Sequence, residues 1–313
     1  MIKKIIMVIV VCILSSSFFA LISQENEPKM IDEMNAKIQN NPNDMMLYYH
    51  RGSGYFRLKD YYAAEKDFDK IINSNNFPVM DVILRYKARV LLLTNRENES
   101  IHLLTNELAR KTENRNDFYY QRALGYDYID DYDRAVNDYY QFLCYASIKW
   151  EPHEFRFGYR RYVTLKLLRK DNDVGKRFDK FPLETEKDYE FLYLKSYYEY
   201  SQKQYEKAKQ NLEKVLVISP QFNTAYVLNA LIAAQEKKDK EVITNMEKAV
   251  LYGFDEAAIT TIYPQLQISK EIENKISDNE KGNRNTYKVY KQNPLLLKID
   301  IHKEAELMNS NEY

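Results

Sequence analysis

The chain has 313 residues, of which 45% are hydrophobic and 29% are charged, as expected of a folded protein with an extensive solvated surface. Only 7 glycines and 8 prolines are present, which leaves too few turn-forming residues for an all-β fold or a nucleotide-binding fold. The 46 basic and 46 acidic residues balance, so the overall charge disfavours nucleic acid as a partner.

The first 23 residues have the pattern of a secretory signal. Lys3 and Lys4 precede the ten-residue apolar run Ile5–Leu14, which is the charged start and apolar centre typical of such a leader. We therefore predict a leader over residues 1–23 and an exported chain that is periplasmic or associated with the cell envelope. The alternative is an uncleaved anchor over Ile5–Ile22, since its 18 residues just span a bilayer. The chain would then contact the membrane only through this anchor.

Residues 24–44 are predicted to form an N-terminal capping helix. Apolar residues recur there at helical spacing, at Met30, Ile31, Met34 and Ile38. The run Asn41–Asp44 contains a proline and three residues that favour helix caps, so it ends this helix and offers an N-cap for the next one.

The stretch Tyr48–Ile72 predicts two short helices packed as a hairpin. The leading helix places Tyr48, Gly52 and Tyr55 on one face, and the trailing helix does the same with Ala64, Phe68, Ile71 and Ile72. Lys59–Tyr61 forms the turn between them. Gly52 and Ala64 favour the pairing because two helices approach closely only where neither carries a bulky side chain.

This hairpin resembles the tetratricopeptide repeat. That pattern has an aromatic residue, a small residue four positions on, a second aromatic three positions later, and Ala-x₃-aromatic after the turn. The matching residues are Tyr48, Gly52, Tyr55, Ala64 and Phe68, while Arg51 stands where leucine is usual. The sequence YYHRG at Tyr48–Gly52 returns as YYQRA at Tyr119–Ala123, 71 residues later, which fits two periods of about 35 residues.

Further copies of the unit are recognised by the same signature. The second has Leu84, Ala88, Leu91, Ser100 and Leu104, and the third has Tyr119, Ala123, Tyr126, Ala135, Tyr139 and Phe142. The fifth has Leu192, Ser196, Tyr205, Ala208 and Leu212, and the sixth has Tyr226, Ala230, Ala233, Met246 and Ala249.

These units divide the chain into segments. Units 1–3 occupy residues 45–146, a degenerate helical hairpin or spacer occupies 147–182, and units 5 and 6 occupy 183–254. A C-terminal capping helix is predicted over residues 255–278, because the end of a repeat array must cover its last apolar face. The polar composition of residues 279–313 predicts a flexible tail. Within the tail, Asn293–Ile301 is too short to assign, and folding back onto the array is one option for it.

The resemblance covers about residues 41–252. It implies an all-α fold, a right-handed superhelical solenoid of antiparallel helix pairs with about six units. It also implies that the leading helices line a concave groove, which in this family commonly takes a peptide or protein segment.

Counting from the small residue of each unit gives the side chains expected to face this groove. The candidate partner-binding residues are Tyr49, Phe56, Arg85, Arg89, Tyr120, Tyr193, Tyr197 and Tyr200. Chaperone-binding members of the family clamp a terminal carboxylate with Lys and Asn, and that clamp is not present here. Arg85 and Arg89 lie one turn apart and could grip a carboxylate, with tyrosine rings stacked on the ligand. The alternative is an inter-repeat salt bridge for the arginines and core packing for the tyrosines.

No motif predicts catalysis, a metal or a cofactor. The four histidines are scattered, at His50, His102, His153 and His302, and no HExxH motif, Gly-rich phosphate loop or nucleophile elbow is present. Cys144 is the one cysteine outside the leader and is expected to be a buried small hydrophobe. We therefore predict a non-catalytic, cofactor-free scaffold of the cell envelope that binds a peptide or protein segment in its groove. The alternative is an envelope protein that binds a small ligand or glycan on the same aromatic face.

Overall fold

The computed structural model describes residues 27–110, 115–146, 152–178, 187–255, 258–259, 262, 289–290 and 293–297. The predicted leader and most of the predicted C-terminal capping helix lie outside these ranges. In the described part of the chain, no helix combines the length and the hydropathy that a membrane crossing requires.

The described part of the chain divides into two compact units: the residues up to Tyr145 belong to unit 1, and those from Ala146 onward belong to unit 2. The helices of unit 1 are α1 (27–40), α2 (Met45–Arg57), α3 (Tyr61–Ser74), α4 (Met80–Leu93), α5 (Glu97–Ala109), α6 (Arg115–Tyr128) and α7 (Tyr132–Tyr145). The all-α prediction is confirmed for this unit within the described ranges.

Unit 2 adds one short strand pair to its helices. Its elements are α8 (Pro152–Leu168), α9 (Gly175–Phe178), α10 (Tyr189–Ser201), α11 (Tyr205–Ile218), α12 (Asn223–Gln235), α13 (Asp239–Leu251), β1 (Val289–Tyr290) and β2 (Asn293–Leu297). The strands are antiparallel, with Val289 opposite Leu297 and Tyr290 opposite Asn293. Both strands fall within the tail that the sequence predicts to be flexible over 279–313, and they belong to unit 2.

Helices that are neighbours in the sequence pack as hairpins. The pairs are α2 with α3, α4 with α5, α6 with α7, α10 with α11 and α12 with α13. Gly52 shows why the leading position must be small: a Cβ added there would lie 2.9 Å from Cε1 of the buried Phe68. The approach of α2 to α3 predicted from Gly52 and Ala64 is therefore confirmed.

Six turns in the described ranges share one geometry. Each contains a residue in the left-handed region, with φ between 59° and 62°, at Lys59, Asn95, Asp130, Lys170, Lys203 and Lys237. The next N–H donates to the carbonyl five residues before it, as from Asp60 to Tyr55 at 2.9 Å. This is the Schellman arrangement that satisfies the last carbonyls of a helix. The leading helix of the fourth unit therefore ends as the others do.

The fourth unit departs from the others after this turn. Its leading helix α8 begins at Pro152, and a proline suits the first helical position because it removes only an N–H that would be unpaired. In the described ranges its trailing helix is reduced to the four residues of α9. Lys166 bridges Asp171 and Asp173 at 2.8 and 2.7 Å and so holds the turn against α8.

A repeated ion pair explains the unusual arginine at position 51. Arg51 of α2 donates two hydrogen bonds to Asp67 of α3, at 2.8 and 2.6 Å. Arg122 of α6 makes the same bidentate contact with Asp138 of α7, at 2.6 and 2.8 Å. Both members of the second pair lie 71 residues after their counterparts, so the repeat carries the ion pair with it. A bidentate arginine–carboxylate pair thus replaces an apolar contact inside each of these hairpins.

The prediction that Cys144 is buried was wrong, because its side chain is exposed. The buried residues of α7 include Ala135, Tyr139 and Phe142, which recur at helical spacing. Cys144 falls two residues after Phe142 and therefore lies outside this stripe.

Candidate functional site

The eight candidate groove residues separate into two groups. Phe56, Arg89, Tyr120 and Tyr193 are buried, whereas Tyr49, Arg85, Tyr197 and Tyr200 are partly exposed. Counting along the helices finds the face on which a residue lies, but it does not tell whether that face is covered. Phe56, Arg89 and Tyr120 are therefore packing residues, Tyr193 is covered by an extended segment of the chain, and the other four candidates are open to solvent in part.

In unit 1 the two arginines join neighbouring repeats. Arg85 of α4 pairs with Asp117 of α6. Arg89, 5% exposed, lies beside the side-chain amide of Gln121, and with that amide turned so that its oxygen faces Arg89, the Nε of Arg89 donates to it at 3.2 Å. Both contacts run from α4 to α6, and the Arg85–Asp117 pair is the inter-repeat salt bridge that the sequence leaves open as an alternative. The predicted carboxylate grip is therefore corrected: these guanidinium groups already face a carboxylate and an amide of the chain.

The aromatic candidates of unit 1 also contribute to its core. Tyr49 packs against the rings of Phe77 and Tyr86, with ring centroids 5.7 and 6.3 Å apart. Phe56 meets Tyr86 edge-on at 5.3 Å, and Tyr120 packs on the rings of α7. A pocket of 340 Å³ lies nearby, lined by Phe77, Pro78, Val79, Met80, Asp81, Val82, Arg85 and Asp117.

In unit 2 a candidate groove residue does contact an extended segment, and that segment belongs to the chain itself. Strand β2 lies against α8 and α12, and the hydroxyl of Tyr193 on α10 donates to the carbonyl of Leu295 at 2.7 Å. Leu295 and Leu296 are both buried. We call this surface of α8, α10 and α12 the leading-helix face of unit 2.

The ring of Tyr193 is held by its neighbours. Phe222, which is fully buried, meets it edge-on with centroids 5.1 Å apart and an interplanar angle of 87°. Leu295 joins the same apolar cluster, together with Val227 and Leu228 of α12. Burial raises the pKa of the Tyr193 hydroxyl above its ordinary value, partly offset by the hydroxyl of Thr224. The phenol therefore stays protonated and available as a donor.

Tyr197 and Tyr200 lie on the same helix, nearer its C-terminal end. Tyr197 lines a pocket of 540 Å³ whose other lining residues are Leu167, Leu168, Lys170, Asp171, Asn172, Val174, Tyr198, Ser201 and Gln202. Tyr200 packs beside Tyr205 with ring centroids 5.9 Å apart, and burial raises the pKa of its hydroxyl. These tyrosines combine a packed ring with a polar edge, as expected at a half-buried binding surface.

Leu295 and Leu296 are the site residues that sequence analysis missed. Their only signal was three consecutive leucines after Asn293-Pro294 in a polar region. In the described ranges, no group of three His, Cys, Asp or Glu side chains is placed to hold a metal ion.

No protein-family model and no curated protein sequence matches the chain, but solved structures do. A tetratricopeptide repeat protein from Parabacteroides merdae is 15% identical, and the match covers 80% of this chain and 96% of that one with a TM-score of 0.50. The APC/C hetero-tetramer Cut9–Hcn1 matches at 14% identity, 80% and 46% coverage and a TM-score of 0.47. MamA matches at 14% identity, 72% and 97% coverage and a TM-score of 0.37.

The chain thus spans about half of the length of the matched Cut9–Hcn1 chain. At these identities the likeness concerns the fold. Together with the hairpins, the small residues at their contacts and the shared turns, the match to the Parabacteroides protein leads to one conclusion: this chain has the tetratricopeptide-repeat fold.

Proposed function

We propose that the chain is a non-catalytic protein–protein interaction scaffold of the cell envelope, which binds an extended segment of another polypeptide on the leading-helix face of unit 2. One observation carries the proposal. Tyr193 donates a hydrogen bond to a backbone carbonyl of an extended segment that lies across this face. A surface that holds its own extended segment in this way has the shape and the donor needed to hold another.

The main-chain hydrogen bond and the buried leucine side chains contribute differently to recognition. A hydrogen bond to a main-chain carbonyl positions any extended peptide, because every residue carries that acceptor. Burial of leucine side chains supplies most of the affinity and selects sequences, since a fully buried leucine contributes about 1.5–3 kcal/mol. Leu295 and Leu296 make contacts of this second kind.

The charged groups of unit 1 support a scaffold rather than an enzyme. Charged side chains on facing helices form ion pairs with each other, as Arg51 does with Asp67 and Arg122 with Asp138. Such pairs fix the register of the hairpins. The envelope location rests on the basic and apolar pattern of residues 1–23.

Selection from a library of random linear peptides tests the proposal. The chain is immobilised, enriched peptides are synthesised, and their affinities are measured by fluorescence anisotropy. We expect apolar sequences whose affinity falls in a Tyr193→Phe variant and is unchanged in Tyr62→Ala, since Tyr62 is 71% exposed on α3 of unit 1. Failure to enrich any peptide, or equal affinity for all three proteins, contradicts the proposal.

A second candidate function is favoured by the pocket beside Tyr197. Two tyrosine rings border it together with Asp171, Asn172 and Gln202, and aromatic rings next to amide and carboxylate groups suit a glycan or another small polar ligand. Thermal-shift measurements with a panel of glycans test this function. A stabilisation that is lost in Tyr197→Ala supports it, and no shift with any glycan contradicts it.

A further inference from the structure

We propose that Asn293–Leu297 acts as an in-chain ligand of the leading-helix face. A partner must displace it, and the partner's segment is extended and carries two adjacent apolar side chains in the manner of Leu295 and Leu296. This inference rests on the proposed function and adds to it both the chemistry of the partner and a barrier to its binding. The contacts of β2 carry the argument.

Strand β2 occupies the leading-helix face as a bound peptide would. It lies against α8 and α12 and reaches Tyr193 of α10 through its main chain. Successive side chains of a strand point to opposite sides, yet Leu295 is 8% exposed and Leu296 is fully buried. Leu295 belongs to the apolar cluster of α10 and α12, and Leu296 is buried on the other side of the strand, so a segment docked in this way is stabilised by two adjacent apolar residues.

The strand pair by itself does not hold β2 in place. Its partner β1 has two residues, and β2 has five. Two-stranded pairs of this kind are marginal in water without a surface to pack on. Pro294 has no N–H and cannot donate to a neighbouring strand. The segment can therefore leave the face without the helices of unit 2 unfolding.

Because Asn293–Leu297 is tethered to the face, it competes effectively with a free peptide. A segment of the same chain acts at an effective concentration in the millimolar range, set by the length of its connection. A free peptide with the same contacts therefore binds the wild-type chain with an affinity reduced by the fraction of molecules in which the face is open. Weakening the in-chain segment must raise the affinity for the free peptide.

The experiment uses a fluorescent synthetic peptide with the sequence Val289–Ile301 and a control peptide with aspartate in place of Leu295 and Leu296. Both are titrated against the wild-type chain and against the full chain carrying Leu295→Asp and Leu296→Asp. We expect the first peptide to bind this variant at least about 10-fold more tightly than the wild type. The control peptide is expected to bind neither protein. Introducing Tyr193→Phe into the variant lowers the affinity about 3- to 10-fold, because one hydrogen bond is lost.

Hydrogen exchange on the wild-type chain gives a second readout that needs no substitution. Saturating peptide is expected to raise deuterium uptake over residues 289–297 while the amides of α10 and α12 keep their protection. Circular dichroism checks that the doubly substituted chain retains its helices, and if it does not, the exchange measurement alone decides.

Each outcome bears on one proposal. Equal affinity for the two proteins, or unchanged exchange at 289–297 in the presence of bound peptide, overturns the in-chain ligand. Dimers that increase with protein concentration overturn it as well, since the segment then passes to a second copy. If the Val289–Ile301 peptide fails but library peptides bind in a Tyr193-dependent way, only this inference is lost. If no peptide binds either protein, the proposed function is lost too.

Discussion

Units 1 and 2 are built from the same hairpins and the same turns, yet they use their leading helices differently. In unit 1 the residue before the small position is Arg51 or Arg122, and each is paired with an aspartate sixteen residues later. In the hairpin of α10 and α11 in unit 2, Lys195 replaces the arginine and Asn211 replaces the aspartate. Asn211 donates instead to Glu199, at 2.9 Å. Apolar clusters lie between the helices of both units, and unit 1 adds a bidentate charge pair inside two of its hairpins, at Arg51–Asp67 and Arg122–Asp138.

The difference underlies our proposal for where a partner binds. The arginines on the leading helices of unit 1 are joined to groups of neighbouring helices, as Arg85 is to Asp117. The leading helices of unit 2 present a tyrosine hydroxyl and apolar side chains to an extended segment. On our proposal, the leading helices of unit 1 contribute to stability and those of unit 2 to recognition.

Removal of a buried charge partner in unit 1 is expected to have the largest effect. Arg122→Ala leaves the carboxylate of Asp138, whose side chain is 1% exposed, without its bidentate partner. Loss of one member of a buried pair costs about 3–5 kcal/mol. Lys195→Ala, at the corresponding position of unit 2, is expected to change the free energy of unfolding by no more than about 0.5 kcal/mol. Urea unfolding monitored by circular dichroism measures both, and similar losses would contradict the contrast between the units.

Two leucines of unit 2 separate its permanent core from its exchangeable segment. Leu228→Ala in α12 creates a cavity in the apolar cluster and is expected to cost about 2–5 kcal/mol. Leu296→Ala is expected to cost less than half as much, although both side chains are fully buried. The segment can detach locally, so the loss cannot exceed the free energy with which it docks. Equal losses in urea unfolding would show that β2 is part of the permanent core.

Loss of the Tyr193 hydroxyl tests the hydrogen bond to the strand. Tyr193→Phe keeps the ring against Phe222 and removes only the donor to the Leu295 carbonyl. We expect a cost of about 0.5–1.5 kcal/mol, seen as faster hydrogen exchange in residues 293–297. Tyr139→Phe, which removes a hydroxyl bonded to Asp127 in unit 1, serves as the control and leaves exchange in that segment unchanged.

Acid should weaken an ion-pair network that unit 1 contains. Burial raises the pKa of Glu65, whereas hydrogen bonds from Lys87 and Arg96 lower it by a larger amount. The pKa therefore lies below its ordinary value of 4.5. A carboxyl group whose pKa is lowered by folding stabilises the protein above the unfolded pKa, and this contribution disappears as the pH falls through the folded pKa. Glu65→Gln is therefore expected to flatten the fall in the free energy of unfolding below about pH 4.5. An unchanged slope would contradict this role.

The smallest effect is expected at the shared turns, where the two units should behave alike. Lys59 and Lys203 adopt φ values of 62° and 59°, a region that costs a side-chain-bearing residue about 1–2 kcal/mol. Glycine removes this strain but makes the unfolded chain more flexible. We expect Lys59→Gly and Lys203→Gly each to raise the free energy of unfolding by about 0.5 kcal/mol. Opposite signs would indicate that the two turns are not equivalent.

Much of the fold is predictable because its determinants are local. The spacing of Gly52, Ala64 and Phe68 places the first hairpin contact, and Asp44 caps α2 by accepting from the N–H of Met46, as expected. Only one member of the Arg51–Asp67 pair could be recognised from the sequence. Arg51 stands out as a departure from the repeat pattern, but its partner is one of many aspartates and is identified only once α2 and α3 lie side by side.

The candidate site was harder to predict because the residues that cover a helix face come from distant parts of the sequence. Helical spacing places Tyr193 on the correct face of α10, yet the carbonyl that it binds lies 102 residues further along the chain. The same limit applies to Phe56, Arg89 and Tyr120. Their spacing is that of groove residues, but contacts from other helices bury them.

The sequence by itself determined that the chain forms antiparallel helix pairs, where the best of them begin and end, and which side chains the leading helices direct to one face. Periodicity, caps and small residues are properties of neighbouring positions, so they can be read before the chain is folded. Only the tertiary structure decided which of those faces are closed by ion pairs and which one holds an extended segment. That choice depends on the packing of groups far apart in the sequence, such as Tyr193 and Leu295.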